Sequence, residues 1–334
     1  MAKFILSKKI MHERFEKIAV LCDELSYSAK TNYEVATLLE QETTCSFNLH
    51  FLTEVEKIVD KKRIWFFPQG WNETEIQELL STGVDKFVLD NERDLRTLIP
   101  ILEKENVQVS ILLRMKLKEN TIHTGKYFVY GMRSDMINKF VSELKDNKHI
   151  ETLGVHFHRK TQNISEWSLL YELEQLLTEE TLEAIKILDI GGGLPVQYKN
   201  FRAEVLPNIF AEVKKLRTWL DKKKITFMIE PGRFIAAPAI KLQTTIRNIY
   251  DDTIVVDAST YNSAVDTFVV HYKLLVEGEL PQNSGRVYTI KGYTPCSMDL
   301  FRYRVYLPEL KVGDTLTFLN AGAYNFGTDF CSLP

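Results

Sequence analysis

The chain of 334 residues is long enough for a barrel-sized core and a second unit, and its 45% hydrophobic and 26% charged residues are ordinary for a globular protein. The formal net charge of −3 argues against a surface made to bind nucleic acid or an anionic membrane. The N-terminal apolar run is too short for a signal peptide, and no apolar run reaches membrane-spanning length. The four cysteines form no C-x-x-C pair and favour a reduced cytoplasm; they are Cys22, Cys45, Cys296 and Cys331.

The first two thirds of the sequence alternate between apolar runs and helix-like segments. A strand at 3–7 and an amphipathic helix at 11–23 come first. Eight buried strands are then predicted, at 25–30, 45–49, 64–67, 86–89, 107–115, 153–157, 185–190 and 225–229. Helices are predicted between them, among others at 33–42, 73–80, 92–102, 134–144, 167–177 and 203–220. Eight such alternations over ~200–250 residues favour a closed (β/α)₈ TIM barrel, with an open doubly wound sheet as the alternative.

Several polar residues and one glycine loop fall at or just beyond the ends of predicted barrel strands: Lys30, Asn48, Arg114, His158, Gly191–Gly193 and Glu230. In a barrel of this type the chemistry takes place at the carboxyl ends of the strands. This coincidence predicts one site that these residues share.

The sequence changes character after Arg233. Short runs rich in β-forming residues follow, separated by turn residues at 281–285 and 312–314. They predict a mostly antiparallel β domain with strands at 242–249, 253–256, 267–272, 286–290 and 315–319.

Three consecutive glycines follow the strand predicted at 185–190. Gly191, Gly192 and Gly193 remove every side chain from the turn, which lets backbone N–H groups converge on an anion, most often a phosphate. A plain tight turn is the alternative interpretation of the same residues.

Other candidate residues are weak when taken singly. Lys30 stands where a barrel lysine can form a Schiff base, although most strand-end lysines are simply solvated charges. His156 and His158 lie two residues apart at the end of a strand, and packing or ring stacking is the favoured interpretation over a metal site. Cys296 reads equally well as a small buried hydrophobe, and Glu230 as part of a surface salt bridge.

In their order along the chain, these motifs resemble the fold-type III pyridoxal-phosphate decarboxylases, which include ornithine, diaminopimelate and carboxynorspermidine decarboxylases. The resemblance rests on Tyr27-Ser28-Ala29-Lys30, Gly154-Val155-His156-Phe157-His158, Asp189-Ile190-Gly191-Gly192-Gly193, Glu230-Pro231-Gly232-Arg233, Pro295-Cys296 and Gly322-Ala323-Tyr324. It covers nearly the whole chain. It implies an alanine racemase-like architecture, with a TIM barrel at 11–234, a β domain formed by 1–10 and 235–334, and a head-to-tail homodimer with shared active sites.

The resemblance also implies pyridoxal 5'-phosphate as the cofactor. Lys30 would hold it covalently, His158 would stack on its ring, and Glu230, kept ionised by Arg114, would face the pyridine nitrogen. Cys296, from the partner subunit, would protonate the carbon that loses CO₂. The phosphate would be bound by Gly191, Gly192, Gly193, Gly232, Arg233 and Tyr324.

Several positions depart from the family pattern. Asn48 replaces an aspartate of ornithine decarboxylases, and Arg159-Lys160-Thr161 follows His158 where relatives have small residues. Ser297 stands where polyamine-forming members have an aspartate for the distal amine, and the run 269–271 has no acid either.

We therefore predict an amino-acid decarboxylase for which free ornithine and lysine are poor substrates. Ser297, Asp299, His271 and Arg159 are candidate substrate contacts, and Asp299 or Asp266 would have to receive a distal amine. The substrate itself is left open, as is whether the chain is a whole protein or one domain of a larger one. The alternatives are a non-enzymatic pyridoxal-phosphate carrier, a racemase, and, more distantly, a metal-dependent barrel hydrolase that uses His156 or His158.

Overall fold

The computed structural model describes residues 1–117 and 130–325. The strands of this part are β1 Lys3–Leu6, β2 Glu24–Ser28, β3 Ser46–Leu49, β4 Ile64–Phe66, β5 Lys86–Leu89, β6 Val109–Arg114, β7 Ile150–His156, β8 Ile187–Asp189, β9 Thr226–Ile229, β10 Ile240–Tyr250, β11 Thr253–Val256, β12 Leu275–Val276, β13 Arg286–Lys291, β14 Leu300–Leu307 and β15 Thr315–Leu319.

The α-helices of the same part are α1 Lys8–Ala19, α2 Tyr33–Glu42, α3 Leu52–Val55, α4 Glu73–Thr82, α5 Glu92–Glu105, α6 Ser134–Leu144, α7 Leu169–Leu176, α8 Glu179–Ala184, α9 Leu206–Lys223, α10 Arg233–Ala239, α11 Thr260–Ser263 and α12 Asp266–Val269. Short 3₁₀ turns lie at Ala29–Thr31 and Lys61–Arg63. No helix of the described ranges is both long and apolar enough to cross a membrane.

The chain divides into two compact units, which we call the barrel unit and the sheet unit. Of the described residues, the barrel unit comprises 16–117, 130–194 and 205–232, and the sheet unit comprises 1–15, 195–204 and 233–325. The segment 195–204, expected to belong to the barrel, therefore packs with the sheet unit, as does the first half of α1.

The barrel is closed, as predicted. Strands β2 to β9 pair in parallel in chain order, and β9 returns to pair with β2. Side chains inside the strands are almost completely buried, because helices cover a parallel barrel on the outside and side chains fill it inside. One buried cluster brings five strands or strand ends together: Trp65, Phe67, Val88, Leu112, Ile187 and Met228.

The sheet unit is a seven-stranded mixed sheet. Its strand order is β12-β15-β10-β11-β13-β14, and β1 pairs with β10. The pair β11–β13 is parallel and the remaining pairs are antiparallel. The prediction of a mostly antiparallel domain to which the first strand contributes is thus confirmed, apart from that one parallel pair.

Three assignments in this unit were wrong, one of them being that the two-residue strand β12 was missed. The strand predicted at 267–272 is instead helix α12, because local hydrogen bonds from Thr267 Oγ1 to the Ala264 carbonyl (2.7 Å) and from Val270 N–H to the Asp266 carbonyl (3.0 Å) override the β preference of its valines. Strand β14 was missed, because two arginines and two tyrosines hide its apolar alternation and its register against β13 is interrupted.

Candidate active site

Lys30 stands in the 3₁₀ turn that follows β2, at the carboxyl end of the barrel. The Lys30 side chain is accessible to solvent, although protein atoms surround most of it. This desolvation lowers the pKa of Lys30, and Arg114 adds to the effect, whereas Glu230 opposes it. A lysine with a lowered pKa holds more of the neutral amine that attacks a carbonyl.

Close packing, in addition to turn geometry, requires glycine in this loop. Gly191 (φ +65°) and Gly193 (φ +98°) adopt left-handed backbone conformations. A Cβ on Gly191 would lie 2.7 Å from the Phe157 carbonyl oxygen, and one on Gly192 would lie 2.6 Å from that of Glu230. Only glycine fits at these positions.

The loop does not present three converging N–H groups, which corrects the expectation. The N–H of Gly191 donates to Asp189 Oδ1 (2.7 Å), and that of Gly192 donates to His158 Nδ1 (3.2 Å). Within the described ranges no protein acceptor is recorded for the N–H of Gly193. The first glycine thus fixes the strand end, the second orients a ring, and the third keeps a free donor.

Glu230 lies at the centre of a buried trio at the barrel mouth. His156 Nε2 is 3.2 Å from Glu230 Oε2, and ligand atoms of His156, Asp189 and Glu230 all lie within 4.8 Å of one another. By donor type these three could bind a metal ion, but hydrogen bonds already join them.

Protons are unequally shared in this trio. Burial, together with the charge of Glu230, raises the pKa of Asp189 well above its usual range, so Asp189 is protonated. Burial would also raise the pKa of Glu230, but His156 and the hydrogen bond from Asp189 outweigh it and lower that pKa, so Glu230 stays ionised.

His158 follows β7 and turns its ring towards the glycine loop. Because Nδ1 accepts the N–H of Gly192, the ring carries its proton on Nε2 and is neutral. Desolvation lowers the pKa of His158, which keeps the ring neutral at physiological pH. A neutral ring with a fixed orientation can stack on a flat cofactor.

Arg114, at the end of β6, has a different partner from the one expected. Its Nη1 lies 3.2 Å from Asp90 Oδ1, whereas the atom that contacts Glu230 belongs to His156. The sequence predicted that only one of His156 and His158 would point into the site. The structure corrects this, because His156 contacts Glu230 and His158 accepts a hydrogen bond from the glycine loop.

His50 was missed in the sequence. It follows β3 by one residue, and its ring packs 5.1 Å from Phe67, which in turn meets His156 edge-on at 5.3 Å. Burial and the charge of Lys30 lower the pKa of His50 to about 3, so it is a neutral neighbour of the site. Its position beyond a strand end was the one available clue.

Arg233, in the sheet unit, is surrounded by aromatic side chains and one carboxylate. The guanidinium lies 5.1 Å from the ring centre of Tyr324, 5.0 Å from that of Tyr272, and donates to Tyr198 Oη (3.1 Å). It also forms a two-point ion pair with Asp266, one contact being 3.2 Å. Arg233 and Tyr324, both predicted to bind phosphate, are therefore brought together.

Cys296 lies in the loop between β13 and β14. Its Sγ is 3.0 Å from Tyr261 Oη. Ser297 and His271 are exposed and line one groove of about 220 Å³, together with Thr267, Phe268, Tyr272, Lys273, Met298, Leu300, Phe301, Arg302 and Tyr303. The groove contains basic and aromatic side chains and no acidic one.

Asp299 is a structural residue in this arrangement. It is fully buried, and its carboxylate accepts four hydrogen bonds: from Thr260 N–H and Oγ1 (both 2.8 Å) and from Thr294 N–H (3.2 Å) and Oγ1 (2.7 Å). The backbone folds so closely around it that a Cβ on Gly292 would lie 2.2 Å from its oxygens. These contacts leave no room for a substrate ammonium.

The barrel-mouth residues fit pyridoxal phosphate. Glu230 is buried and held ionised, which suits it to accept the N–H of a protonated pyridine ring. A lysine of lowered pKa, a neutral oriented imidazole and a side-chain-free loop accompany it.

Two family models match the chain. "Pyridoxal-dependent decarboxylase, pyridoxal binding domain" covers residues 10–237, and "Pyridoxal-dependent decarboxylase, C-terminal sheet domain" covers 198–322. These matches confirm the resemblance drawn from the motifs and the cofactor it implied.

Two curated relatives illustrate the range of the similarity. Diaminopimelate decarboxylase of Aquifex aeolicus is 25% identical, over 97% of this chain and 82% of its own length. The 2-[(L-alanin-3-ylcarbamoyl)methyl]-2-hydroxybutanedioate decarboxylase of Staphylococcus aureus is 23% identical, over 81% of this chain and 75% of its own.

Solved structures share the fold. Diaminopimelate decarboxylase of Helicobacter pylori in complex with L-lysine aligns with a TM-score of 0.82 at 19% identity, covering 99% of this chain and 89% of that one. Lysine/ornithine decarboxylase of Vibrio vulnificus in complex with cadaverine aligns with a TM-score of 0.78 at 21% identity, covering 99% and 92%.

Proposed function

The chain belongs to the pyridoxal-dependent decarboxylases, enzymes that use pyridoxal 5'-phosphate to decarboxylate amino acids, and on that premise we propose that its preferred substrate is neither free ornithine nor free lysine. The far end of that substrate bears a carboxylate or another non-cationic group.

The proposed machinery uses the residues of the barrel mouth. Bound pyridoxal phosphate supplies the electron sink for the pair that departing CO₂ leaves behind. Lys30 Nζ would hold the cofactor covalently, the neutral ring of His158 would pack on it, and Glu230 would accept the pyridine N–H. Arg114 is paired with Asp90, and its positive charge helps to lower the pKa of Lys30.

The phosphate is proposed to lie at the free N–H of Gly193, at Gly232, and at Arg233 and Tyr324. Gly232 must be glycine, because a Cβ there would lie 2.2 Å from Thr31 Oγ1. The Arg233 guanidinium would keep its ion pair with Asp266 and take the phosphate as a further partner. Cys296, from the partner subunit, gives its thiol proton to the carbon that loses CO₂.

The substrate proposal depends on one observation: both acids that could receive a distal ammonium already have other partners. The four hydrogen bonds of Asp299 bind it to threonines, and Asp266 is paired with Arg233. An ammonium near Ser297 would therefore remain unpaired, which costs several kcal/mol when water is excluded.

The groove that contains Ser297 favours the opposite charge. Lys273 and His271 line it, and its aromatic walls can cover an alkyl chain. The name of the Staphylococcus aureus relative describes a substrate with carboxylates distant from the amino-acid centre, which supports such a preference in this family.

The test is CO₂ release from pairs of amino acids that differ in the charge of the far end. We expect 2-aminoadipate or a longer carboxylate-ended amino acid to exceed lysine and ornithine in kcat/KM by at least about tenfold, or about 1.4 kcal/mol. A kcat/KM of ~10⁴ M⁻¹s⁻¹ or above for lysine or ornithine, the efficient range for enzymes, contradicts the proposal.

A matched pair of variants sharpens the result. Ser297→Asp returns an acid to the groove and should raise kcat/KM for lysine or ornithine, while Ser297→Asn, of nearly equal size and no charge, should not. If both variants change the rates alike, the missing carboxylate is not the cause of the selectivity.

We also propose that the protein is a head-to-tail homodimer located in the cytoplasm. The family resemblance supports the dimer, and the free, scattered cysteines support the reducing compartment.

A further inference from the structure

Tyr261 and Cys296 form a pair that the motifs did not point to. Tyr261 belongs to the short helix α11, and its hydroxyl oxygen lies 3.0 Å from Cys296 Sγ, 35 residues away in sequence. We infer that Tyr261 is a positioning residue that makes the thiol of Cys296 a stronger acid.

A buried clamp builds this contact. The carboxylate of Asp299 takes two hydrogen bonds from Thr260, the residue before Tyr261, and two from Thr294, two residues before Cys296. Asp299 is fully buried, so these hydrogen bonds hold the start of α11 close to the loop that contains Cys296. The tyrosine and the cysteine are therefore held together by other residues.

The tyrosine ring is fixed from a second direction. It stacks on Phe268 of α12 at a centroid distance of 4.9 Å and an angle of 25°. Ser259 Oγ accepts the N–H of Tyr261 at 3.2 Å and caps the first turn. Backbone and ring are thus both held, and the hydroxyl oxygen stays within hydrogen-bond distance of the sulfur.

The chemistry follows from the charge that appears on sulfur. When Cys296 gives its proton to carbon, the S–H bond breaks, a C–H bond forms with the pair released from the C–CO₂ bond, and a thiolate remains. A phenol O–H donated to that thiolate stabilises it, so the proton leaves sulfur more readily. Water then returns the proton.

Most of the hydrogen-bonding groups around Cys296 also lower the pKa of its thiol. The hydrogen bond from Tyr261 is the largest influence lowering the pKa of Cys296, backbone N–H groups of Met298 and Asp299 also lower it, and the charge of Asp299 raises it. Lys291 Nζ donates to the Cys296 carbonyl at 3.4 Å.

Thiol alkylation tests the inference on the full-length holoenzyme. A Cys331→Ser background removes a cysteine that lies outside the described residues. Cys22 and Cys45 are buried and burial raises the pKa of both thiols, so iodoacetamide should modify Cys296 first. The modified peptide is followed by mass spectrometry from pH 6 to 10.

We expect Tyr261→Phe, which retains the stack on Phe268, to raise the pH midpoint of alkylation by about one unit, equivalent to an about tenfold smaller thiolate fraction at pH 7. The control Tyr250→Phe, an exposed tyrosine of the same unit outside the groove, should leave the midpoint unchanged.

Equal midpoints for Tyr261→Phe and its parent would overturn the inference. So would a parent midpoint at or above about 8.5, the ordinary thiol value, and that measurement needs no variant to fold. The inference relies on the proposed function only for what the proton does. Failure to decarboxylate any amino acid would contradict the function and leave the alkylation test intact.

Discussion

At the scale of single residues, Glu230 has the most constrained surroundings. It is ionised although buried, because His156 contacts one carboxylate oxygen and protonated Asp189 shares its proton with the group. A buried acceptor that is held ionised is suited to keep a pyridine nitrogen protonated.

Glu230→Gln should therefore retain the cofactor and lose turnover, because a neutral amide does not hold the proton on the ring. We expect kcat to fall about a thousandfold, or about 4 kcal/mol in the barrier. Borohydride should still fix the cofactor to the Lys30 peptide, which shows that the site is loaded. Glu172→Gln, which removes a carboxylate that pairs with Arg159, serves as the control. Near-normal decarboxylation by Glu230→Gln would rule out the proposed role.

At the scale of elements, the glycine loop is fixed by its neighbours β7 and β9. It combines left-handed backbone with approaches that no side chain could enter. Gly70 in the same unit offers a comparison, since its φ of +76° is close to the +65° of Gly191 while a Cβ there would meet nothing within 4 Å.

Gly70→Ala and Gly191→Ala should therefore differ only by the steric conflict. Both carry a left-handed penalty of about 1–2 kcal/mol, and Gly191→Ala adds roughly 1–3 kcal/mol of overpacking against Phe157 and His158. The measurements are thermal unfolding and the cofactor dissociation constant. Because Gly191 packs on the ring of His158, we expect only Gly191→Ala to weaken cofactor binding. Equal effects of both changes on cofactor binding would show that the packing of the loop is not what shapes the site.

At the scale of the whole molecule, the chain distributes the proposed catalytic residues over two units. Lys30, His158 and Glu230 belong to the barrel unit, and Cys296 belongs to the sheet unit. The proposed head-to-tail dimer would complete each barrel with the Cys296 of the partner subunit.

Mixing two inactive variants tests this arrangement. Lys30→Ala and Cys296→Ala, combined under conditions that exchange subunits, should recover up to about a quarter of the activity of the parent enzyme, because half the molecules are mixed and each contains one intact site. Subunit exchange is verified with differently tagged chains. Exchanged dimers without recovered activity would mean that each site is built within one chain.

The sequence by itself determined the architecture, because the strands and helices of the barrel follow from local sequence patterns. Each short, mainly apolar strand and each helix cap, such as Asn72 with Glu75, depends on near neighbours. The eight-fold alternation and the ends of α2 and α6 were therefore predictable. The order of the motifs was equally visible, and it led to the family that the comparisons confirm.

Only the tertiary structure decided which side chains meet. His156 and Glu230 are 74 residues apart, and Tyr261 and Cys296 are 35 apart, so no local pattern pairs them. The same holds for Asp299, which the sequence offered as a substrate contact and the fold uses to clamp two threonines. A residue's chemistry is set by its partners, and long-range partners are fixed by packing.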